Sequence, residues 1–290
     1  MPKTNYNSKS DLEHEKDLQR IQKLRLMDDD FMSVVFEDKA CSQFLLQTIL
    51  NRNDLIIKDV KTQHNFKNLH GHSICLDIYA RSISGEEYDI EIQRADKGAC
   101  PRRARYNSSI LDANILSPGD DYQNLRETYV IFITEKDILG YNKPIYHIDR
   151  MVREIDMPFN DDSHIIYVNG ELKNEDTDLS RLMHDFSCSN IANINSPILK
   201  DRIKYFKEEE KGVASMCRIL EEMREETAKE VAKEVAKEVA KEVAKETTIN
   251  NAVVFIGNLL SEGFSLEKAL ILANVPNDYK GAVIQQVMNR

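Results

Sequence analysis

Asp89, Glu91 and Gln93 alternate with Tyr88, Ile90 and Ile92 in the stretch YDIEIQ, residues 88–93. Successive side chains of a β-strand point to opposite faces, so this pattern sets the isoleucines toward a core and puts two carboxylates and an amide on the other side. A further acid, Asp77, lies in the preceding strand-like stretch HSICLDIYARS. Carboxylates converging from adjacent strands repel one another unless a cation joins them, and oxygen donors of this kind suit Mg2+ or Mn2+. The plain alternative is a solvated sheet face, which antiparallel sheets often present.

Register decides between the two. The stretches join around Gly85. An odd loop such as Ser84-Gly85-Glu86 sets Asp77 opposite Gln93 and Tyr79 opposite Glu91, and leaves Ile74, Leu76 and Ile78 on the side of Ile90 and Ile92. A two-residue loop without a bulge pairs Asp77 with Ile92 and scatters the polar groups. The apolar pattern favours the odd register, which gathers Asp77, Glu91 and Gln93 on one face.

PRRARY, residues 101–106, packs three arginines and a tyrosine into a short run. The net charge of −10 argues against a phosphate-rich partner on average, because counterion release needs concentrated Lys and Arg. A local basic patch on an acidic protein meets that objection, whereas the alternative for this run is an exposed helix face.

The elements that must position these residues follow from periodicity. Residues 1–25 are polar and read as a mobile lead-in. From Asp28 onward apolar positions recur at three and four, giving one or two amphipathic helices with Asp28 to Asp30 as cap-type acids. DLIIKDVKTQHNF, the two stretches of the hairpin, ETYVIFIT, PIYHIDRMV and HIIYVNG read as strands, with PRRARYNSSILDANIL as an interposed helix. ETYVIFIT is apolar almost throughout, the pattern of a strand covered on both faces. Two further helical segments, LSRLMHDFSC and SPILK to MREE, follow. The AKEV repeat, Ala228 to Glu246, then reads as an exposed helical spacer roughly 28 Å long, its valines drifting around the axis because four residues overshoot a turn of 3.6. Residues 251–290 form a small helical module broken at Gly263 and Pro276.

Several classes are disfavoured. No stretch approaches the ~18 apolar residues of a membrane span, and the N-terminus lacks a secretory h-region, so a cytoplasmic protein without membrane contact is expected. Five cysteines without a CxxC pair speak against a disulfide framework or a thiolate zinc site. His70 and His72 flank Gly71, but no third His or Cys stands at zinc spacing. There is no GxSxG and no Walker-type loop. Glu37, on the first helix, is a further acid that could reach a metal, although helix acids are usually solvated.

On Asp77, Glu91-x-Gln93, RRARYNSSILDANIL, ETYVIFITEKDILGYNKPIYHIDR, FNDDSHIIYVNGE and LSRLMHDF, the chain resembles the PD-(D/E)XK nuclease superfamily, in its transposase-like, recombination-promoting branch. The likeness covers roughly residues 26 to 225. It implies an α/β fold, a restriction-endonuclease-like mixed β-sheet core flanked by helices, followed here by a long charged helix and the small C-terminal module. It also implies a metal-dependent DNA endonuclease acting in recombination or mobile-element biology. Asp77 and Glu91, with the Ile92 carbonyl, would hold Mg2+ or Mn2+; Gln93 would orient the attacking water; Arg103, Arg105 and Tyr106 would hold DNA phosphate. Gln93 stands where the superfamily carries Lys, and Asn107 where relatives often have a second aromatic. The other class of reading is a catalytically silent protein that uses the same fold to bind DNA or a protein partner, and a homo-oligomer is compatible with both.

Overall fold

The computed structural model describes residues 8–66, 72–94, 98–172 and 176–289, which cluster into two units divided between Leu220 and Glu221. In the first unit three helices, α1 (Ser8–Lys23), α2 (Asp29–Phe36) and α3 (Lys39–Leu50), precede the strands β1 (Ile57–Phe66), β2 (Ile74–Ser82) and β3 (Glu87–Gln93). Helix α4 (Pro101–Ile115) leads to β4 (Thr128–Thr134), β5 (Ile145–Ile148), the short pair β6 (Met151–Val152) and β7 (Met157–Pro158), and β8 (Ser163–Asn169). Then come α5 (Asp178–Ser187) and α6 (Pro197–Glu208).

The main sheet has the order β1-β2-β3-β4-β8-β5. Strands β1, β2 and β3 run antiparallel, β3, β4 and β8 run parallel, and β5 returns antiparallel on the far edge. Helices cover both faces. Ile78, Ile90, Ile92, Ile131 and Ile166 pack on one face into a cluster with Phe31 and Phe36 of α2, Leu45 of α3 and Phe206 of α6. On the other, Val130, Phe132 and Tyr167 pack with Ala104 of α4. Strand β4 is therefore buried on both sides, as its apolar run requires.

Three local features depart from the sequence expectation. The segment expected as a lead-in carries α1, and Ile21 at its end is fully buried beside Leu24, Leu26 and Met27. PIYHIDRMV divides into β5 and β6. The helical run after Ser196 breaks at Glu209, where a β-carbon on Gly212 would collide with the carbonyl of Tyr205. The acids before α2 also act differently: the Asp28 side chain takes the Arg25 N–H at 2.8 Å and caps no helix N–H, whereas Asp38 caps α3 by accepting from Cys41 at 3.0 Å.

A long helix, α7 (Glu210–Ser261), runs unbroken through the repeat, with Val231, Val235, Val239 and Val243 more than half exposed. Within the second unit its final turns pack through Ile249, Val253 and Ile256 against Ala269 of α8 (Leu266–Leu272) and Val283 of α9 (Asn277–Met288). No helix among the described residues is long and apolar enough to cross a membrane.

Candidate functional site

The β2–β3 hairpin closes through Ile83, Ser84 and Gly85, so Tyr79 pairs with Asp89 and Ile78 with Ile90. This loop is odd, as expected, but sits one residue earlier than Ser84-Gly85-Glu86, which moves every partner by two. Parity is unchanged, and Asp89 and Glu91 stay on the face opposite Ile90. That face is dry: α4 covers it, and both Asp89 and Glu91 are fully buried.

Asp77 sits where β2 and β3 part. Regular pairing ends at Ile78–Ile90, and the free N–H of Ile92 donates to Asp77 Oδ2 at 2.9 Å. Across on β1, Thr62 pairs with Ile78 and His64 with Leu76, which leaves Gln63 opposite Asp77 in a left-handed conformation, φ 49°. The Gln63 side chain donates to the Asp77 carboxylate. Beyond this irregularity the strand changes face: Leu76 and Ile74 pack with Tyr79 and with Leu111 of α4, contrary to the expectation that they would stay beside Ile90 and Ile92.

Helix α4 begins with Pro101 at its first turn, where the missing N–H costs nothing. Residues three and four apart share a helix face, so Arg103, Asn107 and Leu111 meet the sheet while Arg102 and Arg105 are exposed. Asn107 Nδ2 donates to Asp89 Oδ2 at 2.9 Å and to Glu91 Oε1 at 3.3 Å. Arg103 pairs with Glu91 Oε2, donates to the Gly98 carbonyl at 3.3 Å, and lies 5.6 Å over the Phe132 ring. Gly98 has φ +120°, and a β-carbon there would lie 2.5 Å from Gln93 Oε1 and 2.9 Å from Arg103 Nη1. Gln93, Arg103 and Glu91 thus adjoin one another around a backbone that only glycine permits.

Counter-charge is scarce at this end of β3. Further along the same face Glu87 is held by Arg81 at 3.2 Å and by Arg126, an ordinary buried ion-pair cluster. Among the described residues Arg103 is the one guanidinium acting on all three acids, through a direct ion pair with Glu91 and through its charge on Asp77 and Asp89, and Asp89 Oδ1 and Asn107 Oδ1 are buried with no hydrogen-bond partner. All three carboxyls are held well above the usual range. Burial is the main cause for each; repulsion from Asp77 adds to the rise of Asp89, and repulsion from Asp89 and Asp77 to that of Glu91. A hydrogen bond between Asp89 and Glu91 lowers the first and raises the second, and the Ile92 N–H, the Asn107 amide and Arg103 work against the rise. Asp29, at the start of α2, also raises Asp77 by repulsion.

The structure therefore brings Asp77, Glu91, Gln93 and Arg103 into one neighbourhood and separates Arg105, which is exposed on another face of α4. Arg103 faces Glu91, whereas Tyr106 is half-buried and its hydroxyl donates to the His72 carbonyl, tying α4 to the entrance of β2. Glu37 is exposed at the end of α2. His70 lies outside the described residues. Asp89 and Asn107 are the members that sequence reasoning left out of the site. The i, i+4 spacing of Arg103 and Asn107 was the available signal for the second.

No group of three or more His, Cys, Asp or Glu side chains stands in a metal-coordinating arrangement among the described residues. The donor chemistry nonetheless fits a hard divalent cation: under-compensated carboxylates from two strands and an orphaned buried carboxylate oxygen.

A six-stranded mixed sheet with α-helices on both faces, and acids where β2 and β3 diverge, define a restriction-endonuclease-like α/β protein. The chain belongs to the family described as PD-(D/E)XK nuclease family transposase, whose model matches residues 31–246. No curated protein and no solved structure gives a significant match.

Proposed function

We propose that this protein is a metal-dependent DNA endonuclease of the transposase-like type, acting in the cytoplasm in recombination or mobile-element biology. The observation that carries the reading is the cluster of Asp77 with the buried Asp89 and Glu91, drawn from two strands and facing Arg103 as the one guanidinium among the described residues, in a chain of this nuclease family. Buried charge left so short of partners costs stability, and such expense is characteristic of functional sites.

Asp77 and Glu91, with the Ile92 carbonyl, would hold Mg2+ or Mn2+. The bound ion supplies acidification of water and neutralisation of charge developing on the phosphate. The other roles belong to the chain. Gln93 can accept from and donate to the attacking water but cannot carry a proton away, since an amide does not titrate. Asn107 holds Asp89 and Glu91 in fixed orientation through one amide. Arg103, one-third exposed, pairs directly with Glu91, and its planar fork suits a phosphate that draws it away. Arg105 and Tyr106 are proposed to contact flanking phosphate.

One observation favours a second reading. The Arg103–Glu91 pair satisfies a metal-binding acid internally, as a catalytically silent DNA- or protein-binding member would do. Incubating supercoiled plasmid with the purified protein in Mg2+ or in EDTA decides: nicking in Mg2+ alone supports the endonuclease, and no nicking in Mg2+ or Mn2+ supports the silent module.

A further inference from the structure

Helix α1 carries Lys16, Arg20 and Lys23 at spacings of four and three, within an arc of roughly 60° on the helix surface. All three are exposed. They line a cavity of about 580 Å3 together with Arg25, Asp29 and Arg94. The cavity adjoins the carboxylate cluster through covalent and hydrogen-bonded neighbours. Arg94 follows Gln93 directly, the Gln93 carbonyl accepts from the Glu135 N–H at 3.0 Å, and the Glu135 carboxylate takes Arg25 at 3.0 Å. Asp29 lies within the electrostatic reach of both Asp77 and Arg94.

Charge is concentrated here against the trend of the whole molecule. Five cations (Lys16, Arg20, Lys23, Arg25, Arg94) and three acids (Asp28, Asp29, Asp30) line the cavity, a balance of 5 − 3 = +2 on a protein of −10. The acids hold the guanidinium groups in place: Arg20 with Asp30 at 2.9 Å, Arg25 with Asp28 at 3.5 Å, and Arg94 with Asp28 at 3.1 Å. Lys16 and Lys23 are exposed, and Glu13, one turn before Lys16, is the acid nearest them on the same helix face. Buried Ile21 and Leu24 fix this end of α1 to the core, so the stripe keeps its orientation.

We infer that the Lys16–Arg20–Lys23 face of α1, with Arg94, is a phosphate track that binds the DNA backbone and feeds it to the carboxylates at the end of β3. The inference rests on the endonuclease reading for its substrate. A four-residue and then a three-residue step on a helix spaces cations by about 5–6 Å, close to the interval between successive phosphates of one strand. Backbone contacts of this sort carry no sequence information and place the duplex.

The test uses the full chain in EDTA, with a fluorescein-labelled duplex of about 20 base pairs and anisotropy read across a salt series. Charge reversal of the three exposed residues, Lys16→Glu, Arg20→Glu and Lys23→Glu together, should weaken binding at least tenfold. It should also lower the slope of log K against log salt by about 2–3, three contacts at roughly 0.9 each. A Gln triple at the same positions should fall between. Unchanged affinity and slope in the Glu triple with an intact thermal transition would overturn the track, as would absence of duplex binding by the wild type at low salt. So would a Glu triple that loses binding to phosphatidylserine vesicles while keeping the duplex, since the face would then serve a membrane. The two readings fail separately: a wild type that binds through the stripe but never cleaves sinks the endonuclease alone, and one that cleaves while the triple binds equally well sinks the track alone.

Discussion

Replacing Asp89 by Asn changes one charge and almost no shape. Asp89 is fully buried, receives a hydrogen bond from Asn107, shares another with the Glu91 carboxyl, and leaves Oδ1 without a partner. Its carboxyl is raised above the ordinary value by burial first and by Asp77 as well. A carboxyl raised in the folded state binds protons there that the unfolded chain has already lost. Its contribution to stability is therefore present below the unfolded pKa, near 4, and is lost as pH rises through the folded pKa. One pKa unit corresponds to about 1.4 kcal/mol, and an uncompensated buried polar group costs about 1–3 kcal/mol. In metal-free protein, Asp89→Asn should thus be near neutral at pH about 4.5 and stabilising by ~1–3 kcal/mol at pH about 8. Urea unfolding followed by tyrosine fluorescence reads mainly the first unit, because every tyrosine except Tyr279 precedes residue 221. A variant destabilised equally at all pH values would refute the reasoning and make Asp89 an ordinary satisfied core residue.

Lys207 is 3% exposed and donates to the carbonyls of Leu24 and Ser189 at 2.7 Å and of Gln22 at 3.1 Å. Lys207→Met orphans all three and should cost about 3 kcal/mol in thermal or urea denaturation. Arg103→Ala removes the guanidinium paired with buried Glu91, and should lower metal-free stability more at pH 8 than at pH 5, by circular dichroism melts. Gln93→Ala should slow Mg2+-dependent nicking less than Asp77→Ala, because it removes an orienting hydrogen bond and no charge. Truncation after Glu225 should leave a folded protein with unchanged cleavage per molecule; an insoluble product would place residues beyond 225 in the nuclease core.

The alternation of β3 was legible because its period is two, and a shift of the loop by one residue at each end preserved the faces of Asp89 and Glu91. ETYVIFIT announced a central strand by its continuous apolar run, which suits a strand covered on both faces. The irregularity at Asp77 was not legible. It needs Gln63 on another strand in a left-handed conformation, and no local pattern marks a glutamine for that role. The dryness of the polar face also escaped, since α4 covers it from residues beyond the hairpin. Arg103 and Arg105 were expected together as phosphate ligands, and what escaped was that helix periodicity turns the first toward Glu91 and the second outward. Helix α1 escaped because the apolar anchors gather at its end and just beyond it, Ile21 and then Leu24 to Met27, and its charged face resembles a solvated tail.

The claim that the acids of β2 and β3 form a cation site is tested most directly by titrating Mn2+ into the protein and following the free-ion signal by electron paramagnetic resonance. The wild type should remove Mn2+ saturably, and Asp77→Asn and Glu91→Gln, folded by their thermal transitions, should each lose that binding. Equal Mn2+ uptake by the wild type and both variants would contradict it.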